Sequence, residues 1–358
     1  MHAFAPTASL DALRRRAAAA AAVRGFFVGE GHLEVDVPVL SRDVVVDAHL
    51  EPLVTHVHRD PAGSATAERR FLQTSPEFHL KRLVAAGCGS VWSLARVFRD
   101  GEIGPRHNPE FTLAEWYGVG AGRDRWRDQV RVTERVARAI AASVGRQPHE
   151  RGAATRRRAR PAHGADAPRS PFRVLTYDAA FARFAGAPVL DLPPGDLVAL
   201  ARDRGVALPA GVEQDRDGLL NVLLADLVEP HLGTDATGGP CFLCDYPASQ
   251  SALAAVRRDP GRPAVAERFE LYAGGVELAN GYQELTDPAE LRDRIAVENA
   301  KRVAGGLAPL PADSRLLAAM EHGLPRCSGV ALGFDRAVMW ALGETDLAAV
   351  LAFPHDVA

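Results

Sequence analysis

The spacing of apolar side chains changes several times along this chain, and each change marks an element. Leu10, Leu13, Val23, Phe26 and Phe27 stand at helical intervals in an alanine-rich run, so a helix is expected ahead of residue 30. From 31 to 40, Gly-His-Leu-Glu-Val-Asp-Val-Pro-Val-Leu alternates apolar with polar, the period of a strand, and Pro38 puts that strand at a sheet edge. Helical spacing returns over 77–86. Residues 91–99 and 110–116 read as two strands flanking a loop. Glycine-containing strands begin near Glu267, a polar helix is expected over 288–303, and a strand-to-helix junction lies within 327–342. The pattern predicts mixed α and β structure.

Composition changes this picture at one place. Between 146 and 169 stand seven arginines and two acids, among alanine, proline and glycine. No core can be built there, so a mobile insert at about 146–170 is expected within a single domain spanning 1–358. The insert carries +5 against −3 for the whole chain, which leaves the remainder at −8. So acidic a body offers no broad face to a nucleic-acid backbone.

Several bland readings win elsewhere. Arg14, Arg15 and Arg16 precede an apolar run as in a secretion signal, but the run is nearly all alanine and Arg24 closes it. Four cysteines are no disulfide framework, and no run approaches the ~20 apolar residues of a membrane span, so a reducing cytoplasm is expected. Cys241 and Cys244 lack two further zinc ligands nearby, and in a strand they face opposite sides. Gly118, Gly120 and Gly122 have no strand-to-helix setting for a phosphate and read as a loop.

Three clusters carry candidate chemistry. The loop from Arg99 to Phe111 holds cations and hydrogen-bonding groups; arginine forks suit phosphate oxygens, and an aromatic at the strand's start suits a base. A charged surface hairpin would look the same. Glu270 and Glu277 flank a predicted turn that can bring them together, where a cation such as Mg²⁺ would offset their repulsion. Two solvated acids are an equal reading. In Ser-Gly-Val-Ala-Leu-Gly-Phe-Asp-Arg, 328–336, small residues alternate with apolar ones up to Arg336, so a flat ligand could approach the backbone.

In this order the clusters resemble the three signature motifs of class II aminoacyl-tRNA synthetases, in the lysyl branch. The Pro38 block is similar to the first, 99–111 to the second and 329–336 to the third. Thr-Ser-Pro-Glu at 74–77, Arg-His-Asn-Pro-Glu-Phe-Thr at 106–112 and Asn-Gly-Tyr-Gln-Glu-Leu at 280–285 are close to lysyl wording. Pro38 is reached with room for one helix only, so no anticodon-binding domain is expected ahead of it. That shortening resembles the truncated lysyl-synthetase paralogues that attach (R)-β-lysine to elongation factor P, as do Gly-Cys-Gly at 87–89, Pro-Ala-Ser-Gln at 247–250, Val-Glu-Leu-Ala-Asn-Gly at 276–281 and Cys-Ser-Gly-Val-Ala-Leu-Gly at 327–333.

The resemblance implies an α+β class II catalytic core: an antiparallel sheet flanked by helices, forming a homodimer. It implies ATP-dependent formation of an aminoacyl-adenylate from (R)-β-lysine or lysine and transfer to a lysine of elongation factor P, without tRNA. Arg99 and Arg336 would be catalytic, holding phosphates. Asp100, Gly101, Glu102, His107, Asn108, Leu278 and Gly333 would frame ATP, with Phe111 on adenine and Glu270 and Glu277 on Mg²⁺. Ser75 and Pro76 would help bind the substrate, with Glu77 taking the backbone-side amine, Glu284 and Tyr117 the side-chain ammonium, and Asn280 the carboxylate. Ala331 stands where the third motif usually has glycine, and its methyl should favour a β-amino acid. The second motif usually reads Arg-x-Glu. Here Gly101 takes the acid's place, so either Glu102 or a backbone group must serve. A stand-alone enzyme charging RNA and a silent nucleotide-binding regulator are the competing readings.

Overall fold

A computed structural model describes residues 4–58, 67–120, 125–145 and 170–358 of the chain. The arginine-rich insert expected at about 146–170 lies outside the described residues, except for Ser170. The strands are β1 (Leu33–Glu34), β2 (Leu40–Ser41), β3 (Val54–Val57), β4 (Glu68–Leu72), β5 (Val91–Phe98), β6 (Glu110–Val119), β7 (Arg173–Thr176), β8 (Cys241–Pro247), β9 (Val256–Arg257), β10 (Val265–Ala273), β11 (Val276–Gln283) and β12 (Cys327–Gly333). The helices are α1 (Leu10–Gly29), α2 (Glu77–Ala85), α3 (Arg125–Ser143), α4 (Tyr177–Phe184), α5 (Pro194–Asp203), α6 (Arg216–Leu223), α7 (Pro288–Ala304), α8 (Arg315–Gly323) and α9 (Phe334–Leu342). Among the described residues no helix is long and apolar enough to cross a membrane.

The main sheet runs β1-β5-β6-β12-β11-β10-β8-β7, with β9 beside β10. Its central pairs are antiparallel, while β1 on β5 and β7 on β8 are parallel. A small sheet, β2-β4-β3, stands apart. The expected antiparallel sheet with flanking helices is therefore present.

Strand alternation decides what covers each face. Trp92, Ala114, Trp116, Phe242, Cys244, Phe269, Leu271, Val330 and Leu332 point to one side, where side chains of α1, α3 and α9 bury them in a single apolar layer. There Phe27 of α1 stacks on Trp92 with ring centroids 4.7 Å apart. Burying one such side chain fully is worth about 1.5–3 kcal/mol. On the opposite side the cover is split. Tyr177, Phe181, Leu219, Leu223, Cys241 and Leu243 build one cluster around α4, α5, α6 and β8. Phe78, Leu80, Leu316, Leu317, Met320 and Cys327 build another around α2, α7 and α8. Between them the central strands are left uncovered by apolar side chains. Cys241 and Cys244 belong to opposite cores, as strand periodicity requires.

Two sequence expectations are corrected. The alternating stretch 31–40 is not one strand: only Leu33–Glu34 pairs with β5, and Leu40–Ser41 pairs with β4. Val37 is buried and Val35 packs beside it, so the alternation reports sidedness without a continuous ladder. Gly118 belongs to β6, not to a loop, and a β-carbon there would lie 2.4 Å from Nε2 of Gln129. Gly122 lies outside the described residues.

Candidate active site

The uncovered strip of sheet floors a cavity of about 830 Å³, within the range that takes a nucleotide-sized ligand. Alternate residues supply it: Phe111, Leu113, Glu115 and Tyr117 from β6; Gly329, Ala331 and Gly333 from β12; Arg268, Glu270 and Tyr272 from β10. From β11 come Asn280 and Tyr282, followed by Glu284 just past its end.

One end is cationic. Arg99 follows β5, and its backbone N–H donates to Pro109 O at 2.9 Å. Its guanidinium lies 5.0 Å over the Phe111 ring, and its Nη1 is 3.3 Å from Glu102 Oε1. The turn between them needs Gly101 at φ +77°. Of the two groups that could replace the missing acid, the Glu102 side chain is thus the one seated against Arg99. Arg336, in the first turn of α9, donates from Nε to Arg106 O at 3.0 Å and from Nη1 to Glu277 O at 3.3 Å. The second-motif loop is thereby tied to the hairpin. Partial desolvation and the nearby Arg336 lower the His107 pKa from its ordinary value. Asn108 is a scaffold: Nδ2 donates to Glu110 O at 2.6 Å, and Oδ1 accepts from His355 N–H at 2.8 Å. Leu278 and Gly333 line the cavity, with the Leu278 side chain packed in the helix-covered core behind it. Asp100, Gly101 and Pro76 do not line it. Asp100 caps the Gly101 N–H at 2.9 Å, and Pro76 precedes α2, so these residues act by shaping the chain.

Glu270 and Glu277 do meet. Antiparallel pairing without a break would turn Glu277 to the opposite face. A bulge re-registers the hairpin, so that Glu270 opposes Asn280 while Tyr272 opposes Glu277. Glu270 is held by Tyr246, Tyr272, Arg268 and Asn280. The half-buried Glu277 carboxylate has no hydrogen-bond donor of its own among the described residues, and burial together with Glu270 pushes it up to about 7. Glu229 stands nearby, raised by burial and bonded to the Tyr272 hydroxyl at 2.9 Å. Among the described residues no group of three or more His, Cys, Asp or Glu side chains is arranged to hold a metal ion. Glu277 and Glu270 are the oxygen donors that could hold Mg²⁺ alongside ligand phosphates.

The other end is anionic and deeply buried. Ser75 Oγ donates to Glu115 Oε2 at 2.8 Å and accepts the Glu77 N–H at 3.1 Å. Tyr117 donates to Glu115 Oε1 at 2.9 Å, not to Glu284, and Tyr282 donates to Glu77 at 3.3 Å. Lys81, four residues after Glu77 on α2, bridges Glu77 and Glu284. Burial raises Glu115 to about 8, with help from Glu77. It also raises Glu284 to about 8, against the pull of Lys81. Gly329 is required here: a β-carbon would lie 2.3 Å from Glu284 Oε1 and 2.4 Å from the Tyr117 ring. Ala331 sits between Asn280 and Glu115 on the neighbouring strands, its methyl on the floor.

Sequence reasoning missed Glu115, Lys81, Tyr282 and Glu229. Glu115 shares strand parity with Phe111 and Tyr117, and Lys81 shares a helix face with Glu77; either signal could have found them.

Comparison with known proteins places the chain. Residues 4–357 match the family model of class II tRNA synthetases of the D, K and N type. Proteins named elongation factor P–(R)-β-lysine ligase are 40% identical in Vibrio vulnificus and 41% identical in Klebsiella pneumoniae and Salmonella paratyphi B. Each likeness extends over 353 residues, 99% of this chain and 98% of the relative.

Proposed function

Because the chain belongs to the class II tRNA synthetases of the D, K and N type, we propose that it activates an amino acid carrying two ammonium groups, (R)-β-lysine or lysine, as its adenylate. The acceptor in this reading is a lysine of elongation factor P, as the names of the relatives indicate for those proteins. The family also brings the expectation of a homodimer in the cytoplasm, checked by sedimentation.

One observation carries the substrate class. Glu77, Glu115 and Glu284 surround a single buried cation, Lys81, so two of the three carboxylates have no resident counter-ion. Burial holds Glu115 and Glu284 up to about 8 until a ligand brings positive charge. Uncompensated buried carboxylates are costly, and a ligand with two ammoniums removes that cost. A neutral side chain would leave it standing.

In the first half-reaction a substrate carboxylate oxygen attacks the α-phosphorus of ATP, the bond to the β-phosphate oxygen breaks, and pyrophosphate leaves. No protein nucleophile is required; alignment and charge neutralisation do the work. Arg99 and Arg336 hold the phosphates, and Phe111 offers its ring to adenine. His107 and Asn108 order the loop, and Asn280 takes the substrate carboxylate. Glu277 and Glu270 would hold Mg²⁺, which supplies Lewis-acid charge neutralisation at the phosphates. In the second half-reaction the acceptor amine attacks the adenylate carbonyl, and AMP leaves with the bonding electrons. An amine of ordinary pKa ~10.4 must lose its proton first. The methyl of Ala331 intrudes where an α-amine would sit and favours a β-amine.

The test is ATP–pyrophosphate exchange with (R)-β-lysine, lysine and norleucine, followed by transfer of labelled amino acid to elongation factor P or to tRNA. Exchange with both diammonium substrates and none with norleucine is expected, with label on the protein acceptor. Exchange driven by norleucine would overturn the substrate class, and label on tRNA would overturn the acceptor.

A further inference from the structure

Lys81 has no part in the reaction just described, yet it is one of the most enclosed charges among the described residues. It is 2% exposed. Glu77, Glu115, Tyr117, Tyr282 and Glu284 all face the cavity, whereas Lys81 lies behind them and does not line it. Its ammonium contacts Glu77 on its own helix and Glu284 beyond β11, and it stands 5.9 and 5.7 Å from the ring centres of Tyr117 and Tyr282. The two carboxylates come from elements 200 residues apart in sequence, and Lys81 is the cation common to both. A surface Glu–Lys pair one helical turn apart contributes little; this one also engages a second acid across the site.

We propose that Lys81 is a resident counter-ion that positions Glu77 and Glu284 from behind the cavity wall and sets the pocket's selectivity for two ammonium groups. With Lys81 in place, three carboxylates and one cation leave two carboxylates whose charge a ligand ammonium can balance in place of a proton. Without it, Glu77 and Glu284 repel each other and the third charge must be quenched by a proton, so the geometry and the charge count are both lost. This inference rests on the amino-acid-activating reading above. Lys81 is a positioning residue because it reaches the substrate only through the two carboxylates.

The experiment uses the full-length chain in pyrophosphate exchange. Lys81→Ala is expected to raise KM for the diammonium amino acid by about 30-fold, with KM for ATP within about twofold of wild type. Propylammonium, which replaces the missing carbons and charge, is expected to recover about tenfold of that loss, while propan-1-ol of the same size recovers none. Lys81→Met keeps the volume without the charge and serves if the alanine variant does not fold; the same split between the two KM values is expected. An amino-acid KM within about threefold of wild type, a parallel rise in KM for ATP, or equal recovery by propan-1-ol overturns the proposal. So does failure of both variants to fold, since the need would then be structural. A wild-type chain that exchanges with no diammonium amino acid defeats the functional reading instead, which separates the two failures.

Discussion

At the end of the cavity beneath α2, charge is carried by side chains on regular elements and sealed from water: Glu115, Glu284 and Lys81 are each 2% exposed. At the opposite end Arg99 and Arg336 are only partly covered, and Arg106 and His107 stand exposed on a loop. The contrast follows from what each end must bind. A phosphate chain brings several charges of its own, so arginine forks meeting it lose little by being partly solvated beforehand. An ammonium on a flexible carbon chain must be told from a methyl group, and that discrimination needs carboxylates already stripped of water. Selectivity is built into the dry end and phosphate grip into the wet one.

The sharpest way to break this contrast is Glu284→Gln. It should cut kcat/KM for the diammonium amino acid by about a thousandfold and leave ATP affinity in equilibrium binding unchanged, since it removes the ammonium's desolvated partner and leaves Lys81 with Glu77 alone. Arg336→Ala should act in the opposite sense, costing about a hundredfold in kcat/KM for ATP with amino-acid affinity nearly intact. If both substitutions weaken both ligands alike, the two ends are not separate devices.

A smaller effect separates them by pH. Burial holds Glu115 and Glu284 up to about 8, from an ordinary 4.5. Between those values the unfolded chain has released protons that the empty folded protein retains, so folded stability should fall as pH rises through that window. A diammonium ligand supplies the missing charge, and the thermal protection it gives should grow by about 3 °C between pH 5.5 and 8. Glu115→Gln should flatten that growth in a thermal melt. The mildest change is Ala331→Gly, which should shift the ratio of lysine to (R)-β-lysine exchange about fivefold toward lysine, because only a methyl is removed. An unchanged ratio would free Ala331 of any role in the choice.

Legibility in the sequence divided along the same line. The wet end was readable because its groups sit in contiguous stretches, 99–111 and 328–336, whose residue types announce phosphate. The helix over 77–86 and the strands around the loop were also found, since their periodicity is long and undisturbed. The dry end was only half seen. Glu77 and Glu284 came from resemblance, but nothing in the local sequence marks Lys81 as buried, and its enclosure depends on Tyr117 of β6, Tyr282 of β11 and Glu284 arriving over it. Glu115 hid inside a strand of apolar and aromatic residues. The stretch 31–40 misled for a different reason: Val35 and Val37 alternate to meet a core, while the backbone beyond Glu34 finds no continuous partner strand.

The bulge between β10 and β11 has a consequence for how this hairpin can change over generations. Letters at most of its positions could drift, so long as size and polarity were kept. Its length has one removable residue. Remove Leu278, and the ladder closes into a uniform register in which Glu277 still opposes Tyr272 on the cavity face. A single-codon deletion there would therefore cost the Leu278 side chain packed in the layer of α3 and α9, and would keep the site acid in place. Descendants of this chain could shed the extra residue and still hold both carboxylates on one face.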